Sequence, residues 1–73
     1  GIAAVKPDER KFLDELQRLT RLGGPVYVRD VVADIGMHPK RAACICEKWA
    51  GKRWYDYGVN VLSGWLEPAG LEA

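Results

Sequence analysis

The stretch Val28-Arg29-Asp30-Val31-Val32-Ala33-Asp34-Ile35-Gly36-Met37-His38-Pro39-Lys40-Arg41-Ala42-Ala43-Cys44-Ile45-Cys46-Glu47-Lys48-Trp49 decides how the chain is read. Its apolar residues Val31, Val32 and Ile35 fall about one helical turn apart, so a helix starting at Asp30 or Arg29 buries that side. Gly36 then stops it, because glycine takes positive φ past a helix C-cap without a Cβ clash. Pro39 opens the next helix, since proline is tolerated at the first helical position. His38 is its N-cap, a place where Ser, Thr, Asp and Asn do better. Ala42, Ile45 or Cys46, and Trp49 form the inward set of a helix over residues 39–50, and Gly51 ends it.

Two short helices joined by a glycine-containing turn form a helix-turn-helix, whose second helix usually meets a DNA groove. The outward residues of that helix are Lys40, Arg41, Ala43, Cys44, Glu47 and Lys48. Lys40 and Arg41 sit in its first turn, where a cation opposes the helix dipole. A local cost without structural return points to function. Ala43 and Cys44 are small enough for close approach to base edges or thymine methyls. The same two cations also fit an ordinary solvated face, and the residues after Gly51 tip the balance toward DNA.

Lys52 and Arg53 come after Gly51, and then Trp54-Tyr55-Asp56-Tyr57-Gly58-Val59-Asn60-Val61-Leu62. Aromatic and β-branched residues dominate that run, so it is read as strand, with Gly58 free to bend it. The chain reverses either near Asn60 or at Ser63-Gly64. Trp65-Leu66 returns as the second strand of a hairpin, and Pro68 starts a last turn or helix. The order apolar, polar, acidic, two apolar, small, polar, apolar, Gly, apolar, polar, Pro over residues 28–39 resembles the helix-turn-helix of winged-helix bacterial and phage regulators. The tail Gly64-Trp65-Leu66-Glu67-Pro68-Ala69-Gly70 is similar to the Gly-Trp-Leu-Thr-Pro-x-Gly ending of many winged-helix proteins, with Glu67 in place of Thr. The resemblance covers residues 26–70. It implies a hairpin "wing" beside a groove-binding helix.

Upstream, Pro7, Asp8 and Glu9 make a favourable first helical turn. Phe12, Leu13, Leu16, Leu19 and marginally Leu22 form one apolar stripe, which reads as core. Arg18 and Arg21 lie in the last turns, and Gly23-Gly24-Pro25 ends the helix. Val26-Tyr27-Val28 is read as a short strand before the helix pair. Residues 1–6 are expected to be an arm, and residues 7–73 one domain.

With 73 residues the chain is one domain with a small core. Its apolar share of 48% favours a globular fold, and three Trp and three Tyr enlarge that core. The net charge of +1 does not announce nucleic acid, so the placement of charge has to carry the case. Arg29, Lys40, Arg41, Lys48, Lys52 and Arg53 lie in the second part of the chain. Asp8, Glu9, Asp14 and Glu15 lie on the first helix and are expected to face away from them. Lys48, Lys52 and Arg53 are assigned to phosphates, Arg41 to guanine and Lys40 to either. His38 is read as a capping or solvated residue with a phosphate hydrogen bond as its alternative role. Trp49 and Trp54 are read as core, and Trp65 as half exposed.

Cys44 and Cys46, two apart on a helix, point different ways, which opposes a disulfide and suits reduced thiols in a cytoplasmic protein. No signal peptide or spanning apolar run is seen, so no membrane role is expected. One histidine, no phosphate-cradling glycine loop and no carboxylate pair in an apolar setting argue against an enzyme, and no cofactor or metal is assigned. The reading is therefore α+β: a small winged helix-turn-helix of three helices, a short strand and a C-terminal hairpin, binding double-stranded DNA in transcriptional regulation or a phage or plasmid DNA transaction. A homodimer on DNA, or a larger parent protein, is expected because one domain offers a small interface. The rivals are a winged-helix protein-interaction module, and a metal or redox sensor using Cys44, Cys46 and His38.

Overall fold

The computed structural model describes residues 6–73, and its first helix, α1 (Pro7–Leu22), begins and ends where the local chemistry places it. Pro7 occupies the opening turn, and Asp8 and Glu9 lie where the helix dipole favours carboxylates. Gly23 ends the helix in the left-handed region at φ 82°, donating its N–H to the Thr20 carbonyl at 3.1 Å. The buried face holds Phe12, Leu13 and Leu16, and also Glu9 and Gln17. The arm expected over residues 1–6 lies outside the described residues apart from Lys6.

The strand expected at Val26-Tyr27-Val28 does not form. Val28 is the first residue of α2 (Val28–Asp34), and the Tyr27 carbonyl already accepts from Asp30 and Val31 N–H groups at 3.0 and 3.1 Å. Val28 is 1% exposed, so burial beside Val31 and Val32 outweighs its β preference. Helix α2 therefore starts earlier than the Asp30 or Arg29 read from sequence. It ends at the expected glycine. Gly36, at φ 70°, donates to the Ala33 carbonyl while Met37 N–H reaches back to Val32, which together make a Schellman cap.

Helix α3 (Pro39–Gly51) follows, with Pro39 at its start as expected. Gly51 is inside the helix rather than past it. The closing role falls on Arg53, which takes φ 64° and donates to the Ala50 carbonyl, while Trp54 N–H reaches Trp49. A side chain in that left-handed conformation costs about 1 kcal/mol relative to glycine. The inward set is Ala42, Ile45, Cys46 and Trp49, all buried.

The strand read over residues 54–62 is shorter: β1 (Tyr55–Asp56) pairs antiparallel with β2 (Trp65–Leu66), Tyr55 opposite Leu66 and Asp56 opposite Trp65. Residues 57–64 make an irregular connection. Its reversal lies at Asn60, whose carbonyl accepts from Ser63 N–H and whose side chain accepts from Leu62 N–H, each at 2.9 Å. A fourth helix, α4 (Pro68–Glu72), closes the chain, where three were counted from sequence. It is held by Gln17, whose amide donates to the Gly70 and Ala73 carbonyls at 3.0 and 2.8 Å, and by Arg21, which donates to Leu71 at 2.7 Å.

Among the described residues the chain is thus a small α+β structure of four helices and one two-stranded antiparallel sheet. One core runs from Phe12 and Leu16 through Val28, Val32, Ile45 and Trp49 to Tyr55 and Leu66. Among those residues no helix is long and apolar enough to cross a membrane.

Candidate functional site

The first turn of α3 points outward. His38 caps it, its Nδ1 accepting from the Lys40 N–H at 3.1 Å. With Nδ1 accepting, Nε2 is the ring nitrogen left to donate to another partner. Lys40 is exposed and has no ion-pair partner among the described residues. Cys44 is exposed, and Ala43 is partly so. Spacings of four and three place Lys40, Cys44 and Glu47 along one side of the helix.

Arg41 shares this turn but is not a free cation. Its Nε donates to Asp8 Oδ2 at 2.9 Å and a terminal nitrogen donates to Asp8 Oδ1 at 3.2 Å, a two-pronged bridge from α3 to the start of α1. The hydrogen bond from Arg41 holds the Asp8 carboxyl below its ordinary value, and the same bond raises Arg41. Both side chains remain open to solvent, at 35% and 49% exposure, so the bridge is screened and adds little stability.

Lys48 is also engaged, and more deeply. Its Nζ donates to Glu9 Oε1 at 2.5 Å, while the Trp49 indole N–H donates to Glu9 Oε2 at 2.9 Å. Glu9 is 1% exposed, and the two bonds account for both of its oxygens. Burial pushes this carboxyl up, but the Lys48 and Trp49 hydrogen bonds outweigh it, and the net shift is downward. Phe12 stacks on Trp49 at 5.2 Å between ring centroids, so the carboxylate sits beside an aromatic pair.

These bonds correct the expected charge separation. Asp8 and Glu9 do not face away from the basic residues; they bind two of them. Asp14 and Glu15 pair within α1, with Arg10 and Arg18. The sequence reading places Asp8 and Glu9 in a favourable first helical turn and on an acidic side, and assigns neither of them to the core. The missed signal lay in the stripe itself. Glu9 precedes Phe12, Leu13 and Leu16 by three, four and seven, so periodicity alone puts it on the buried face. Gln17, four after Leu13, was open to the same inference.

Beyond α3, Lys52 lies with its Nζ 4.5 Å above the Trp54 ring, a cation–π contact that leaves the lysine exposed. Arg53 is exposed at the left-handed cap. By helix rise, Lys52 is about 18 Å from Lys40 along the axis. Arg29 stands apart on the first turn of α2, exposed beside a cleft of ≈ 560 Å³ that Tyr27, Leu62 and Trp65 also line. The structure thus groups His38, Lys40, Arg41 and Cys44, and strings Lys48, Lys52 and Arg53 toward the other end. Trp54 is partly buried against the core, and Trp65 is 50% exposed.

Cys44 and Cys46 diverge as expected, one outward and one buried. Burial pushes the Cys46 thiol up to about 12, so it stays protonated at neutral pH and is a poor metal ligand or nucleophile. Among the described residues no group of three His, Cys, Asp or Glu side chains is arranged to hold a metal ion. Comparison of the chain with protein-family models, with curated proteins and with solved structures returns no match.

Proposed function

We propose that the chain is a winged helix-turn-helix domain that binds double-stranded DNA, α3 lying in the major groove and the β1–β2 hairpin acting as the wing. The observation that carries this reading is the outward first turn of α3. There Lys40, Arg41 and the His38 Nε2–H are presented together, followed by the small Ala43 and Cys44. Lys40, Lys52 and Arg53 supply phosphate contacts, which give affinity without sequence information. Lys48, bonded to Glu9, is chiefly a structural residue and contributes less than its sequence position promised. With about three phosphates neutralised, the logarithm of affinity falls against the logarithm of salt with a slope of about −3. Such a weak electrostatic grip suits a domain that works in two copies on DNA or inside a larger protein. Transcriptional regulation and phage or plasmid DNA transactions remain the processes of choice.

The test is titration with duplex DNA while following backbone amide resonances. Shifts confined to α3 and the hairpin, lost in the Lys40→Ala/Lys52→Ala double variant and weakened by salt, support the reading. No binding at low salt removes it. A second reading, a protein-interaction module on the same fold, draws on the cleft beside Arg29, where Tyr27 is 64% and Trp65 50% exposed. Exposed aromatic rings lining a groove are enriched at protein interfaces.

A further inference from the structure

We propose that Asp8, on α1, is a positioning residue that turns Arg41 from a phosphate contact into a reader of guanine. This inference rests on the DNA-binding reading above. A guanidinium has five donors arranged in two usable forks. Asp8 occupies the side fork, formed by Nε and one terminal nitrogen, at 2.9 and 3.2 Å. The end fork, formed by the two terminal nitrogens, is left to donate elsewhere. Two parallel donors of that kind match the O6 and N7 acceptors of guanine in the major groove.

Three features favour a reader over a stray surface pair. The bridge is two-pronged, so it fixes the plane of the guanidinium as well as its position, whereas a single bond leaves it free to rotate. It spans 33 residues of sequence and joins the start of α1 to the start of α3, so the plane is referenced to the scaffold and not to one flexible side chain. Its net charge is zero. A neutral pair gains nothing from counterion release, the term that dominates phosphate contacts, but it still donates hydrogen bonds. Lys40, one residue away and without an ion-pair partner among the described residues, shows the contrast: a mobile point charge suited to phosphate. The two neighbours therefore divide the work, Lys40 giving affinity and Arg41 giving discrimination.

The experiment uses duplexes with a randomised core, selected for binding to the wild-type protein and to three variants. Wild type is expected to enrich guanine at one position. Asp8→Asn is expected to bind the unselected pool more tightly, with a steeper salt dependence by about one phosphate equivalent, and to lose roughly tenfold in guanine preference. Arg41→Lys, which keeps the charge but not the forks, should lose the same preference. Lys40→Ala should weaken binding to every duplex alike and leave the preference intact. An unchanged guanine preference in Asp8→Asn overturns the inference while leaving DNA binding standing, as does a wild-type pool without guanine enrichment. Failure of the wild-type protein to bind any duplex overturns both. The helical circular dichroism of each variant is recorded alongside, and the openness of the pair and the exposure of Lys40 predict that all three match wild type.

Discussion

Two seams hold this small structure together, and they are built from different physics. At one end, the first turn of α1 meets α3 through a buried carboxylate: Glu9 takes hydrogen bonds from Trp49 and Lys48 beside the Phe12–Trp49 stack. At the other end, the hairpin and α4 meet through close backbone contact. A Cβ at Gly70 would collide with the Trp54 carbonyl oxygen, and one at Gly64 would collide with that of Asp56. The buried Tyr55 hydroxyl completes the second seam, donating to the Val61 carbonyl at 2.7 Å and accepting from Gly64 N–H at 3.0 Å. The first seam depends on a charge. The second depends on missing side chains and on neutral hydrogen bonds. In a core this small, polar pins at both ends do what additional apolar layers do in larger domains.

The largest test of that contrast is steric. Gly70→Ala or Gly64→Ala should destabilise by roughly 3 kcal/mol, since the nearest obstructing atom in each case is a backbone carbonyl oxygen that cannot rotate away. Urea unfolding at neutral pH measures it, and a loss below about 1 kcal/mol would show that the hairpin yields more easily than its contacts suggest. Glu9→Ala comes next. It strands the buried indole N–H of Trp49 and should cost about 2 kcal/mol, while Glu9→Gln, which keeps an acceptor there, should cost less. Tyr55→Phe leaves the Val61 carbonyl and the Gly64 N–H without their partner, and about 1.5 kcal/mol is expected.

A pH series separates the seams without mutation. The Glu9 carboxyl is held lower in the folded chain than in the unfolded one, so its contribution is present above the ordinary glutamate range and disappears as pH falls through the lowered value. Tyr55 is shifted the other way. Burial raises its hydroxyl, so its contribution is complete below the ordinary tyrosine value near 10 and fades as pH climbs past it. The neighbouring thiol of Cys46, also raised by burial, acts in the same alkaline direction. Melting temperature followed across pH should therefore fall at both extremes. Glu9→Gln should flatten the acid limb alone, and Tyr55→Phe should blunt the alkaline one. If either variant changes the opposite limb instead, the division between the seams is wrong. The smallest expected effect is at Asp8 and Arg41. Their bridge is open to water, and Asp8→Asn should leave the melting temperature within error while altering DNA selectivity.

What could be read from sequence tracks the range of the interactions involved. Pro7, Gly23, Gly36 and Pro39 mark helix ends through their own backbone restrictions, and all four sit where that reading put them. The apolar stripe of α1 is equally local from Phe12 to Leu19, whereas Leu22, read at its margin, is 71% exposed at the end of the helix. Val28 defeated the strand reading because β preference is weak beside the burial available next to Val31, which is a tertiary fact. Gly51 was misread because a glycine commonly closes a helix, whereas here the left-handed residue is Arg53, forced into place by the Trp54 and Trp49 backbone bond. The candidate site divides in the same way. The outward positions of Lys40 and Cys44 follow from helix periodicity. The capture of Arg41 by Asp8 and of Lys48 by Glu9 joins residues 33 and 39 apart, a pairing that no local pattern encodes.

The divergence of the two cysteines carries a practical consequence. Cys44 lies on the outer side of α3 and Cys46 is sealed inside with its proton retained. A maleimide fluorophore should therefore attach at a single place in the untouched chain, close to the turn that bears Lys40. The molecule comes with a built-in reporter position on the surface whose role most needs watching.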